Sequence, residues 1–124
     1  MGLDIGAVRP VADYKDWCRR ERAAQTGAEI DAVYAEMVSA PEEPFAGLPW
    51  PHAGVEIGAL AYAALDLLEM GGGDSEGEYY TAETVRQAHA ALVANTPPLD
   101  RNQRDMLPWL AICAQQGYAI KVDP

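Results

Sequence analysis

The chain has 124 residues, of which 49% are apolar and 23% charged; that is enough to bury one core and too little for two, so residues 1–124 are expected to form a single domain. Nineteen Asp and Glu against nine Lys and Arg leave a net charge of -10, a surface that repels a phosphate backbone and argues against direct nucleic-acid binding. The longest nearly uncharged apolar run, Ile57 to Leu65, is far shorter than the roughly 20 residues that cross a bilayer, and the Met1 end lacks a cationic and apolar signal segment, so a cytoplasmic protein without a membrane span is expected.

Leu3, Ile5, Ala7 and Val8, bounded by Pro10, form a short apolar run with β-branched members, which predicts a first strand within Gly2 to Val11. Asp13 is placed to cap a first helix with Tyr14, Trp17 and Cys18 on one face; Lys15, Arg19, Arg20 and Arg22 fall largely elsewhere, and Gly27 supplies a stop. Ile30, Val33, Tyr34, Met37 and Val38 then follow the i, i+3, i+4, i+7, i+8 template, which predicts a second helix ending before Pro41.

Ala40 to Gly54 holds four prolines and two glycines in fifteen residues and reads as a loop. Its Phe45, Leu48 and Trp50 are too apolar for a solvated linker, so it is expected to lie on the core as a strap, with Trp50 as anchor. Ile57, Leu60, Ala61, Ala64, Leu65 and Leu68 make one stripe of a third helix, Glu56 to Met70, which Gly71 to Gly73 end with left-handed backbone. After the acidic run GGGDSEGE, Thr81 caps a fourth helix that buries Val85, Ala88, Leu92 and Val93.

A fifth helix is expected to begin near Thr96-Pro97-Pro98 and stop at Gly117, with a bend or restart near Arg104 forced by Pro108. Tyr118 to Val122 closes the chain as a strand. Strand runs at the two ends need partners, and each supplies the other. The expected fold is therefore α+β and mostly helical, about five helices with a small two-stranded sheet pairing the N- and C-terminal strands.

Little in the sequence carries chemistry. His52 in the proline loop and His89 on the fourth helix are joined by no HxxxH or Cys/His pattern, and Cys18 and Cys113 lie far apart, so no metal ligand set, catalytic residue or cofactor is assigned. Asp74, Glu76 and Glu78 alternate as in an oxygen-ligand calcium loop, but the twelfth position, where a bidentate acid is needed, is Val85. Gly71 to Gly73 lack the spacing and the preceding strand of a phosphate loop.

Charge is more informative. From Ala23 to Val85 there are twelve acids and no Lys or Arg, whereas Lys15, Arg19, Arg20 and Arg22 cluster in the first helix. That imbalance would steer a basic partner to the middle of the chain, or it serves solubility alone. The binding candidates are Glu29, Asp31, Glu36, Glu42, Glu43, Trp50, His52, Asp74, Glu76 and Glu78.

Met1-Gly2-Leu3-Asp4-Ile5 resembles the start of small uncharacterised bacterial and phage proteins. The run from Gly58 to Leu68 is similar to a helix of some of them, and Gly77 to Val85 resembles their strand-turn-cap entry to a helix. The resemblance implies a phage or bacterial accessory gene and assigns no residue a role. Two functions follow as expectations. One is a non-enzymatic acidic interaction module, an accessory inhibitor of anti-defence, anti-CRISPR-like or immunity type, that occupies a basic surface of a partner protein. The other is a small-molecule binding module or small enzyme with a pocket under the Phe45 to His52 loop.

Overall fold

The computed structural model describes residues 3–48, 53 and 56–123. The fold is α+β and mostly helical, five α-helices around one antiparallel sheet. The first strand, β1, spans Asp4–Val8. The last, β4, spans Ala119–Asp123 and runs antiparallel to it, with Ile5 opposite Val122 and Ala7 opposite Ile120. The expected pairing of the chain ends is present. The sheet is wider than expected, because two-residue strands join it on either side: β2, Glu56–Ile57, pairs with β1, and β3, Tyr79–Tyr80, pairs with β4. The order is β2-β1-β4-β3, so both terminal strands are central. Strands this short carry no readable period, and what draws them in is the row of unpaired backbone groups on each free edge.

Side chains alternate across a strand, and the alternation splits the core in two. Ile5, Ala7, Tyr80, Ile120 and Val122 face the main core, which α3 (Ala59–Met70), α4 (Ala82–Ala94) and α5 (Arg101–Gln116) complete. Val8, Tyr79 and Ala119 face the other way, under Tyr14 and Trp17 of α1 (Tyr14–Ala23) and Val33 of α2 (Gly27–Tyr34).

Several boundaries differ from expectation. Asp13 caps α1 as anticipated, accepting from the Asp16 N–H, but Gly27 is the first residue of α2, whose cap is Thr26. α2 ends at Tyr34, four residues short of the expected stripe, and only Val33 of that stripe is buried; Met37 packs partly against it. α3 begins at Ala59, since Glu56 and Ile57 are in β2. Gly71 has an ordinary φ of -81°, and the left-handed residue is Gly72. What demands glycine at Gly71 is a close approach, for a Cβ there would sit 2.3 Å from the Ala88 carbonyl oxygen of α4. Thr81 caps α4 as expected, but Val93 is exposed.

α5 starts later than Thr96, behind an Asp100–Gln103 capping box, while Thr96 Oγ1 donates to the Leu92 carbonyl at the end of α4. The helix continues through Pro108 without a restart. Pro108 and Arg104 are both exposed, so water reaches the carbonyl that proline leaves without a partner. Gly117 ends α5 at φ 75°. The proline-rich stretch is pinned along β1 by Ala40 N–H to Ala7 O (2.9 Å) and Ala7 N–H to Ala53 O (3.1 Å). Its anchor among the described residues is Phe45, fully buried against Trp109 and Tyr118; Trp50 lies outside them.

Candidate functional site

The helices α1 and α2 meet the sheet's second face through Tyr14, Trp17 and Val33, which pack with Val8, Tyr79 and Ala119. Gly6, in the middle of β1 opposite Lys121, puts no side chain there, and a glycine inside a strand opens room for something to approach the backbone. The result is a hollow of about 500 Å³ with Gly6, Val8 and Lys121 as floor, Tyr14, Trp17 and Cys18 on the α1 wall, and Tyr34 and Met37 opposite. A second, more open hollow of about 650 Å³ shares Tyr14, Cys18 and Arg22 with it and adds Lys15, Arg19 and Glu76. The two hollows adjoin at these shared residues and are together called the groove; Asp13 and Glu76 offset the α1 bases on its outer side.

The aromatic wall is built by local geometry. Tyr14 and Trp17 fall on one helical face at i, i+3. The Tyr14 ring stacks on Tyr79 at 4.4 Å between centroids, and the Trp17 ring meets Tyr34 edge-on at 5.6 Å. Trp17 Nε1 donates to the buried Val33 carbonyl at 2.8 Å, which fastens α1 to α2. The Tyr79 hydroxyl accepts from the Val11 N–H at 3.1 Å.

Lys121 is 16% exposed on the groove floor. Its Nζ lies 3.1 Å from Asp123 Oδ1, 3.5 Å from Glu78 Oε2 and 3.1 Å from the Val122 carbonyl oxygen, with the Tyr14 ring centroid 6.0 Å away. Those partners use its three donors. Burial raises the Tyr14 hydroxyl well above the usual tyrosine range, helped by the neighbouring Cys18 thiol and by the charges of Glu78 and Asp123. Burial likewise raises Cys113, which sits in the main core, whereas Cys18 is half-buried; both are free thiols.

The expected site residues fall into three groups. Glu76 and Glu78 are brought to the groove, Glu78 on Lys121 and Glu76 beside the α1 bases. Glu36 is tied to α1 by Arg20 Nη2 at 2.7 Å, and Arg20 also holds Asp16 at 3.0 Å. Glu29, Asp31, Glu42, Glu43 and Asp74 are exposed and have no ion pair among the described residues. Of these, Glu29 accepts from the Gln25 N–H at 3.1 Å. Trp50 and His52 lie outside the described residues. Tyr14, Trp17, Tyr34 and Lys121 line the groove although sequence patterning pointed only to core or surface; Gly6, in a strand run, was the available signal.

Among the described residues no group of three His, Cys, Asp or Glu is placed to hold a metal ion, and no helix is long and apolar enough to cross a membrane. No family model, curated protein or solved structure matches the chain.

Proposed function

We propose that the chain is a non-enzymatic interaction module, an accessory inhibitor in its biological role, that occupies a basic surface of a partner protein. The observation that carries this reading is the exposed side of α2 and the turn after it. Ile30, Tyr34 and Val38 are 38%, 49% and 37% exposed, and Glu29, Asp31 and Glu36 are interleaved with them in sequence. Singly exposed apolar residues are ordinary, whereas Ile30 and Tyr34 one turn apart on α2, with Val38 beyond its end, bordered by acids in a segment without Lys or Arg from Ala23 to Val85, have the composition of a contact patch. Exposed Glu42 and Glu43 extend the acidic field. Such a field speeds encounter with a basic surface, and the apolar residues supply the contact.

The test is association kinetics. Asp31, Glu42 and Glu43 carry no ion pair among the described residues, so reversing all three to Lys should leave the fold intact. A partner captured from a bacterial lysate should bind this variant with an on-rate lower by about tenfold or more at low salt, and the wild-type on-rate should fall as salt shortens the Debye length towards about 8 Å. Unchanged kinetics would reduce the acidic surface to a solubility feature.

A second reading, small-molecule binding, is favoured by the 500 Å³ hollow, a volume in the range of ligand sites. The hollow lies between α1, α2 and the sheet, not under the Phe45 to His52 loop where a pocket was expected. A thermal-shift screen that raises the melting temperature of the wild type, and fails to do so with Gly6→Val, would move the conclusion to that reading.

A further inference from the structure

The main core draws nothing from the chain between Ala7 and Ala40. The sheet's other face has a small core of its own, in which Val8, Tyr79 and Ala119 meet Tyr14, Trp17 and Val33. The chain leaves β1 at Arg9 and returns at Val38, where the Arg9 N–H donates to the Val38 carbonyl at 2.8 Å and Val8 and Ser39 form an antiparallel bridge. Residues 10–37 are thus an excursion with joined ends, and within it only Tyr14, Trp17 and Val33 are buried. α1 and α2 contact each other more than either contacts any other element. The bond from Trp17 to the Val33 carbonyl, the Trp17 ring on Tyr34 and the ion pair of Arg20 with Glu36 all lie inside the excursion. Among the described residues a single hydrogen bond ties residues 10–37 to the rest of the molecule, from the Val11 N–H to the Tyr79 hydroxyl at 3.1 Å. Tyr79 also carries the Tyr14 ring, at 4.4 Å between centroids.

We propose that α1 and α2 form a lid, hinged at Arg9 and Val38, that opens from the sheet as one unit while the main core stays folded. A segment opens separately when it gives up few buried apolar groups and the remaining core does not depend on it. The bonds between α1 and α2 make them open together. Helices of ten and eight residues are marginal in water once the sheet no longer supports them, so opening also unwinds both. Opening uncovers Val8, Tyr79 and Ala119 and parts the hollow of about 500 Å³, whose floor belongs to the sheet and whose aromatic walls belong to the lid. A molecule seated there touches both parts, binds only the closed form and holds the lid shut. The α2 surface of the proposed function rides on the lid, but opening needs no partner, so the inference goes beyond that reading and does not depend on it.

Native-state hydrogen exchange of the full chain in rising, sub-denaturing urea reads the opening. The slowest amides of α1 and α2 should exchange about tenfold or more faster than the slowest of α5. They should share one urea dependence, shallower than that of α5 because less surface is exposed. Val85→Ala, a truncation in the main core, should speed α5 exchange about tenfold or more and leave α1 and α2 unchanged, since the closed and open forms both contain the contact it removes. Tyr14→Leu should speed exchange in α1, α2 and α5 alike, because the closed form alone holds the stack on Tyr79. Amides of α1, α2 and α5 that exchange at one rate with one urea dependence, or amides of α1 and α2 whose urea dependences differ or vanish, overturn the inference. So does a Val85→Ala chain in which all three helices speed up together. No partner is present and no acid is altered, so neither result bears on the proposed function.

Discussion

Trp17 of α1 gives its indole N–H to the Val33 carbonyl of α2 at 2.8 Å, a buried bond between residues sixteen apart that joins the two helices. Val33 is the one residue of the α2 stripe that is buried, so this contact and the ion pair between Arg20 and Glu36, just past the end of α2, hold α2 against α1. The ion pair is exposed and contributes little. Trp17→Phe keeps most of the ring but leaves a buried carbonyl without a donor, which should cost about 1–3 kcal/mol. Trp17→Ala should cost about 3–5 kcal/mol. Urea unfolding of the two variants checks both values, and a Phe variant as stable as wild type would show that packing alone holds the hairpin.

Removal of residues 118–124 takes away β4, which pairs with both β1 and β3 and puts Ile120 and Val122 into the main core. The truncated chain should lose cooperative thermal unfolding altogether. A melting temperature equal to that of the full chain would contradict the central position of this strand.

Two glycines should respond with opposite signs. Gly71→Ala places a methyl group 2.3 Å from the Ala88 carbonyl oxygen, a backbone contact that only a shift of α3 against α4 relieves, and overpacking of this kind costs about 1–3 kcal/mol. Gly27 opens α2 with nothing within 4 Å of an added Cβ. Gly27→Ala should therefore stabilise by about 0.4–1 kcal/mol, because alanine restricts the unfolded chain. Denaturant midpoints of the two variants on either side of the wild type would support both statements.

Alkaline pH should unfold the protein through its buried tyrosines. Burial raises Tyr14, Tyr79 and Tyr80 above the ordinary value of 10.0. A group whose folded pKa is raised holds its proton more tightly in the native state, so its contribution is complete below the unfolded value and is lost as pH rises through and above about 10. Stability should be level on this account up to about pH 10 and then fall. Tyr14→Phe removes one such group and should move the alkaline midpoint upward when unfolding is followed by circular dichroism. An unmoved midpoint would show that Tyr14 is already solvated in the native state.

Helix existence, the caps at Asp13 and Thr81, the stop at Gly117 and the pairing of the two end strands were all legible in the amino-acid sequence. These features depend on local rules, namely a side-chain oxygen near free N–H groups, a left-handed residue after the last turn, and two apolar runs that need partners. The acidic middle of the chain was equally plain, because charge is a matter of composition. Tertiary structure alone decided which side of each element is buried. The α2 stripe satisfies the helical template, yet α1 and the sheet bury it only at Val33 and, in part, Met37, so Ile30, Tyr34 and Val38 stay exposed, Tyr34 with one edge against Trp17. Strands β2 and β3 exist because β1 and β4 had edges to fill, a condition two residues cannot announce by themselves. The groove belongs to no single segment, since Gly6, Tyr14, Tyr34 and Lys121 become neighbours only when β1, α1, α2 and β4 pack together. Periodicity specifies that a face is apolar; whether that face meets core or solvent depends on how much of the molecule is there to cover it.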